Sequence, residues 1–201
     1  MKILSIDSYH ERASLTLLIL FTAIIFIITL GLLDRVTALE RALPFRPGEK
    51  LTLQVRWSFI PAGEAVLEIL PIETIQDVTS YHFVMSAKTY PFVDLFYKVR
   101  DRIDAFTDTG MTHTILYKKQ KKGKRKRNVV VTFDWENQIT QYSKQGIKEK
   151  PVVIKPGSFD PLSIFYALRL HNLKVGRKLK IPVTDGKKCV EGIATVIKRE
   201  K

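Results

Sequence analysis

The sequence predicts a mainly β fold, a bent antiparallel sheet or incomplete β-barrel with two short helices, preceded by an N-terminal apolar helix. Three observations carry that expectation. From residue 50 onward apolar and polar residues alternate over many short segments, and Gly, Pro and Asp clusters separate those segments. Near the N-terminus one run is apolar without any alternation.

That run covers residues 13–33, twenty-one positions without a charge, rich in Leu and Ile. As a helix it would measure about 31 Å, enough to cross a bilayer core. Lys2 and Arg12 precede it, and Val36-Thr37-Ala38 follows with the modest side chains a signal peptidase reads. Residues 1–38 are therefore a signal peptide or a transmembrane anchor. The length of the run favours an anchor, and Val36 with Ala38 favours cleavage. Arg35, Arg41, Arg46 and Lys50 outnumber the basic residues before the run, which by the positive-inside rule would keep the rest in the cytoplasm. Export is preferred, because the flank resembles a signal and long domains translocate largely regardless of charge.

Residues 39–49, with Pro44-Phe45-Arg46-Pro47-Gly48, are expected as a linker, and 50–201 as the β-rich domain. Leu51, Leu53, Val55, Trp57 and Phe59 alternate with polar residues as a half-buried strand does. Segments 65–69, 81–89, 102–106, 112–119, 129–135, 147–154, 178–183 and 189–197 follow, each short and rich in β-branched or aromatic residues. Asp185-Gly186 is expected as a two-residue hairpin turn. Phe92, Leu95, Phe96 and Val99 at helical spacing after Pro91 predict one helix. Asp160 as N-cap and Pro161 at the first position open a second, with Leu162, Phe165, Tyr166 and 168–170 as its apolar face. The chain stops within a strand-like pattern, so its last strand is expected to be incomplete.

Four blocks in order carry a resemblance. They are Pro44-Phe45-Arg46-Pro47-Gly48-Glu49-Lys50-Leu51; Val55-Arg56-Trp57 leading to Ile60-Pro61-Ala62-Gly63-Glu64-Ala65; the stretch from Pro91 to Arg102; and Asp160-Pro161-Leu162-Ser163 through Phe165-Tyr166 to Leu168-Arg169. Together they resemble a bacterial domain-of-unknown-function family, DUF3108. The resemblance implies a β-rich envelope domain behind an N-terminal signal or anchor, in a family whose members usually continue past residue 201. It implies no activity and transfers no catalytic positions.

Thirty-three Lys and Arg against twenty Asp and Glu give a net charge of +13. Residues 1–38 hold three charges of each sign, so the excess belongs to the domain. Eight basic residues fall in ten positions: Lys118, Lys119, Lys121, Lys122, Lys124, Arg125, Lys126 and Arg127. Strand patterns enter and leave this run, with Lys122-Gly123 at its centre, so it is expected as a solvated hairpin tip. Contact with anionic headgroups ranks second. Nucleic acid ranks third, because an exported domain rarely meets it.

Arg100-Asp101-Arg102 with Asp94 and Asp104 is the densest mixed-charge cluster, and ion pairing is its expected role. The histidines are isolated and the single cysteine, Cys189, builds neither a disulfide framework nor a thiolate zinc site, so no metal site and no cofactor are expected. Cys189 is expected to pack as a small apolar residue. The aromatic residues are mainly core, but an unfilled sheet interior would leave some of them lining an apolar cavity. The candidates are Trp57, Phe59, Phe92, Phe96, Tyr97, Phe165 and Tyr166, with Glu64 as a polar member.

The expected function is a non-enzymatic domain in the periplasm, exported or anchored in the inner membrane through residues 13–33, that binds an apolar or amphipathic ligand or an envelope-protein partner. Two alternatives stand beside it. One is a hydrolase of an envelope polymer using carboxylates such as Glu64, Asp94 or Asp101, which predicts two of them facing one cleft. The other is a membrane-anchored nucleic-acid binder, which requires the cytoplasmic orientation.

Overall fold

The polar-apolar alternation builds a nine-stranded antiparallel sheet in the computed structural model, which describes residues 43–123 and 126–198. The strands are β1 (Lys50–Trp57), β2 (Ile60–Ile75), β3 (Val78–Thr89), β4 (Arg100–Asp108), β5 (Thr114–Lys121), β6 (Arg127–Asp134), β7 (Ile139–Lys144), β8 (Ile147–Lys148) and β9 (Val152–Val153). They pair in chain order from β1 to β8, and β9 also pairs with β7. Among the described residues the sheet does not close: β1 pairs only with β2, and β8 only with β7. Helix α1 (Pro91–Asp94) joins β3 to β4, and helix α2 (Ser163–Arg169) precedes a separate hairpin of β10 (Lys178–Thr184) and β11 (Cys189–Thr195). The architecture is mainly β with two short helices, as expected. The N-terminal apolar helix of the expectation lies outside the described residues. Among those described, no helix is long and apolar enough to cross a membrane.

Cross-strand register sorts the side chains onto two faces. Ile69, Phe83, Ala105, Tyr117, Val131 and Tyr142 are partners in one row, and all are buried on the inner face. Helix α2 covers this row. Phe83 stacks on Tyr166 at 4.0 Å, and Phe45 meets both rings edge-on at 5.5–5.8 Å, geometries that add about 0.5–1.5 kcal/mol per pair beyond buried area. The Pro/Gly stretch expected as a linker therefore docks on the domain, with Phe45 in the core.

Several expected elements change. The segment expected at 65–69 is the sixteen-residue β2, which contains Pro61 and Pro71. Both prolines sit at breaks in the ladder: Pro61 follows the register shift at Val55/Arg56, and Pro71 falls in the irregularity between Leu70 and Glu73. A missing N–H is tolerated at such bulges. The expected 147–154 strand is two short pieces interrupted by Pro151, and both fold back on β7. The Asp185-Gly186 turn is a four-residue connection, since Thr184 pairs with Cys189. Lys187 N–H donates to Asp185 Oδ1, and Gly186 takes φ of +86° where an added Cβ would meet Val131 at 2.7 Å.

The helix expected after Pro91 is a single turn, and its apolar residues remain exposed. In α2, Tyr166 and Ala167 face the core while Phe165, one step around the helix, is exposed, so it leaves the apolar face assigned to it. The regular turn begins at Ser163, yet Asp160 does cap it: Oδ1 accepts from Leu162 N–H at 2.7 Å and Ser163 N–H at 3.0 Å.

Candidate functional site

Helix α2 and the β10–β11 hairpin cover only part of the inner face. Beyond them the rows containing Leu53–Ala65 and Leu51–Leu67–Met85–Ile103 line a groove of about 580 Å³. Its floor also takes in Tyr117, Val129 and Tyr142, and its far wall is Pro161, Leu162 and Phe165. Strand β1 supplies Leu51 and Leu53 from the sheet edge, where no further strand among the described residues buries them, and they remain 51% and 44% exposed. Burial pushes the Tyr117 phenol upward, with the charges of Asp160 and Asp185 adding to it, so it stays neutral.

Cations stand at the rim. Lys119, Arg127 and Lys187 line the groove with Asp185. Lys187 Nζ lies 2.8 Å from Glu149 and 4.4 Å from the centre of the Tyr142 ring. Lys119 and Arg127 have no ion-pair partner among the described residues. An apolar trough edged by unpaired cations matches a molecule with an apolar body and an anionic head.

The outer face is polar. Glu64, Glu68, Lys88, Arg100, Arg102 and Lys122 surround a shallow depression of about 420 Å³. Glu64 pairs with Lys88 at 3.4 Å. Asp101 also lines this depression and pairs with Lys121 at 3.2 Å. Asp94 takes Arg100 Nη2 at 2.5 Å and accepts from the Thr89 hydroxyl, and these bonds hold its carboxyl below the usual range. The three carboxylates considered for hydrolysis are thus in three separate ion pairs. Deeper on the outer face His82 bridges Glu73 at 2.5 Å and Asp104 at 2.9 Å and stacks on Phe106. Burial would raise the Asp104 carboxyl, but the bidentate Arg102 and the His82 bond hold it low.

Of the expected cavity residues, only Phe165 lines the groove. Tyr166 is core, its phenol pushed up to about 12 by burial and by the Glu49 charge. Trp57, Phe59, Phe92, Phe96 and Tyr97 are exposed at one end of the sheet, and Glu64 lies on the outer face. Leu51, Leu53, Met85, Ile103 and Val129 escaped notice as site residues because period two gives a face without saying how far a helix covers it. Their signal was the row of register partners.

The basic run is also divided. Lys118, Lys119 and Lys121 belong to β5 and alternate between faces, with Lys118 Nζ 5.7 Å from the Phe106 ring centre. Lys122 and Lys126 are exposed at the hairpin end, Arg127 begins β6, and Lys124 and Arg125 lie outside the described residues. Cys189 is half-buried against the core, its Sγ 3.6 Å from Ser158 Oγ.

A family described as protein of unknown function (DUF3108) matches residues 51–201, and the chain belongs to it. No curated protein and no solved structure matches.

Proposed function

We propose that this DUF3108 member is a non-enzymatic binding domain that takes an apolar or amphipathic ligand, an acyl chain with an anionic head, into the groove beside α2. The observation that supports this best is the pairing of an apolar groove, lined by Leu51, Leu53, Leu67, Met85 and Ile103 with Leu51 and Leu53 exposed, with Lys119 and Arg127 at its edge. The tail would gain about 25 cal/mol for each Å² of apolar surface removed from water, and the cations would fix the head at the rim. The domain acts outside the cytoplasm, behind residues 13–33 as signal or anchor, where such amphiphiles are abundant. A hydrolase reading has less support, because Glu64 and Asp101, which share the outer depression, and Asp94 are each held in a separate ion pair.

Titration with the fluorescent fatty acid cis-parinaric acid tests the reading. Saturable binding is expected, weakened severalfold by Ala65→Phe, which narrows the groove, and likewise by Lys119→Gln with Arg127→Gln. A protein that takes up no acyl chain, or whose binding ignores both variants, contradicts the reading. A topology reporter fused after Lys201 tests the location.

A further inference from the structure

We propose that one end of the sheet, built by its successive connections, docks on an anionic lipid bilayer. Antiparallel pairing in chain order brings the β1–β2 turn, the β3–β4 connection and the β5–β6 hairpin to the same end. There Trp57, Phe59, Phe92, Leu95, Phe96 and Tyr97 are between 62% and 79% exposed. The connections are tied together: Tyr90 N–H donates to Ala62 C=O at 3.0 Å, and Lys122 N–H to Arg100 C=O at 2.8 Å. Gly123 packs so closely that a Cβ would lie 2.2 Å from Lys98 O. The basic hairpin therefore leans directly on the aromatic connection.

Chemistry selects the partner. Large apolar side chains projecting from turns have no concavity to receive a ligand, and in water they are a liability. Trp, Tyr and Phe at such tips, with lysines beside them, are the side chains that partition into the headgroup layer. Lys98, Lys122 and Lys126 adjoin them and have no ion-pair partner among the described residues, so this end complements negative charge. The tips are also prepared for partial desolvation. Phe96 and Tyr97 N–H both donate to Val93 C=O, Asp94 N–H donates to Tyr90 C=O, and Arg56 donates to Phe59 C=O. Asp94, the one carboxylate in the aromatic connection, is neutralised by Arg100. This proposal does not depend on the groove holding a ligand.

The chain carries two tryptophans, and they suit a test. Trp57 is at the proposed tip, whereas Trp135 follows β6 at the opposite end, its Nε1–H held by Thr114 C=O at 2.9 Å. The full chain is reconstituted into phosphatidylglycerol vesicles with brominated acyl chains, with Trp57→Phe and Trp135→Phe to separate the signals. Trp57 emission should be quenched and shifted to the blue, Trp135 emission should not, and brominated phosphatidylcholine should quench Trp57 much less. Lys122→Gln with Lys126→Gln should weaken docking about thirtyfold, at about 1 kcal/mol per charge. Phe96→Ser should weaken it at least tenfold. Unchanged Trp135 emission reports that each variant is folded. Trp57 left unquenched in both lipids overturns the proposal. So does quenching indifferent to the lysine and Phe96 variants, or a Trp57 shift that follows protein concentration rather than lipid, which would make this end an interface between copies.

Discussion

Arg169 and Glu49 are 120 residues apart, and their pairing pins the start of the domain to its main helix. The same guanidinium donates to Pro44 C=O at 2.7 Å and lies over the Phe45 and Tyr166 rings. Because both partners are about a third exposed, solvent screening leaves most of the value to the carbonyl bond and ring packing. Arg169→Ala should cost about 1–2 kcal/mol in chemical denaturation, and Lys should restore only part of it, lacking the planar fork. The Arg169 bond holds the Glu49 carboxyl below its ordinary 4.5. Its contribution is therefore present above that value and lost as pH falls through the lower folded one, so Glu49→Gln should flatten the acid side of the stability profile. Asp160 has the opposite sign. Full burial pushes its carboxyl above the ordinary 3.8, against the N–H groups of Ser163 and Leu162 and the Thr114 hydroxyl. Its contribution favours folding below the unfolded value and is lost as pH rises through the folded one. Asp160→Asn, which keeps an acceptor for the cap, should gain stability relative to the parent as pH rises above the carboxylate range. Asp160→Ala should lose about 1–3 kcal/mol at every pH, and thermal melts across pH separate the two.

Gly63 shows an element depending on the absence of a side chain. It sits where β1, β2 and β3 meet, one register step from the bulge at Val55/Arg56, and an added Cβ would lie 2.4 Å from Lys88 O. The clash is with backbone, so β2 and β3 would have to spread. Gly63→Ala should cost about 1–3 kcal/mol in denaturant melts and raise amide exchange along both strands. Such features mark where sequence reading stops. β3, β4 and β6 are legible because the segments around Phe83, Ile103 and Val131 are short and rich in β-branched or aromatic residues. β7 was missed because its buried positions are Thr140 and Tyr142, whose hydroxyls disguise an inward face. β2 runs past Pro61 and Pro71, and only the ladder reveals that Pro61 sits beside one irregularity and Pro71 within another. The aromatic residues were recognised as a set, but Phe92 and Phe96 had no partner element to bury them, and sequence spacing does not supply that information.

At the scale of the whole domain, the groove and the aromatic end are among the places where the fold leaves apolar surface uncovered. Cations without an ion-pair partner among the described residues stand beside both. Outer-face charges largely neutralise one another in the Lys50–Glu68, Lys88–Glu64 and Arg102–Asp104 pairs, while Lys119 and Arg127 at the groove and Lys122 and Lys126 at the hairpin are left over. A groove that is empty exposes Leu51, Leu53 and Phe165 to water, and an occupant that covers them binds the folded state alone. Linkage then ties ligand to stability: at a free ligand concentration a hundred times its dissociation constant, the folded state gains about 2.7 kcal/mol. Stripping the protein of co-purifying amphiphile should lower its unfolding midpoint, and adding cis-parinaric acid should restore it in a dose-dependent way. Ala65→Phe should fold with a midpoint that responds less to both treatments, because its groove is narrower. Lys119→Gln with Arg127→Gln should need more ligand for the same rise, since the apolar floor is intact and only the head contact is lost. A parent midpoint indifferent to the fatty acid would mean that the groove does not discriminate the folded state, and the binding reading would fall with it.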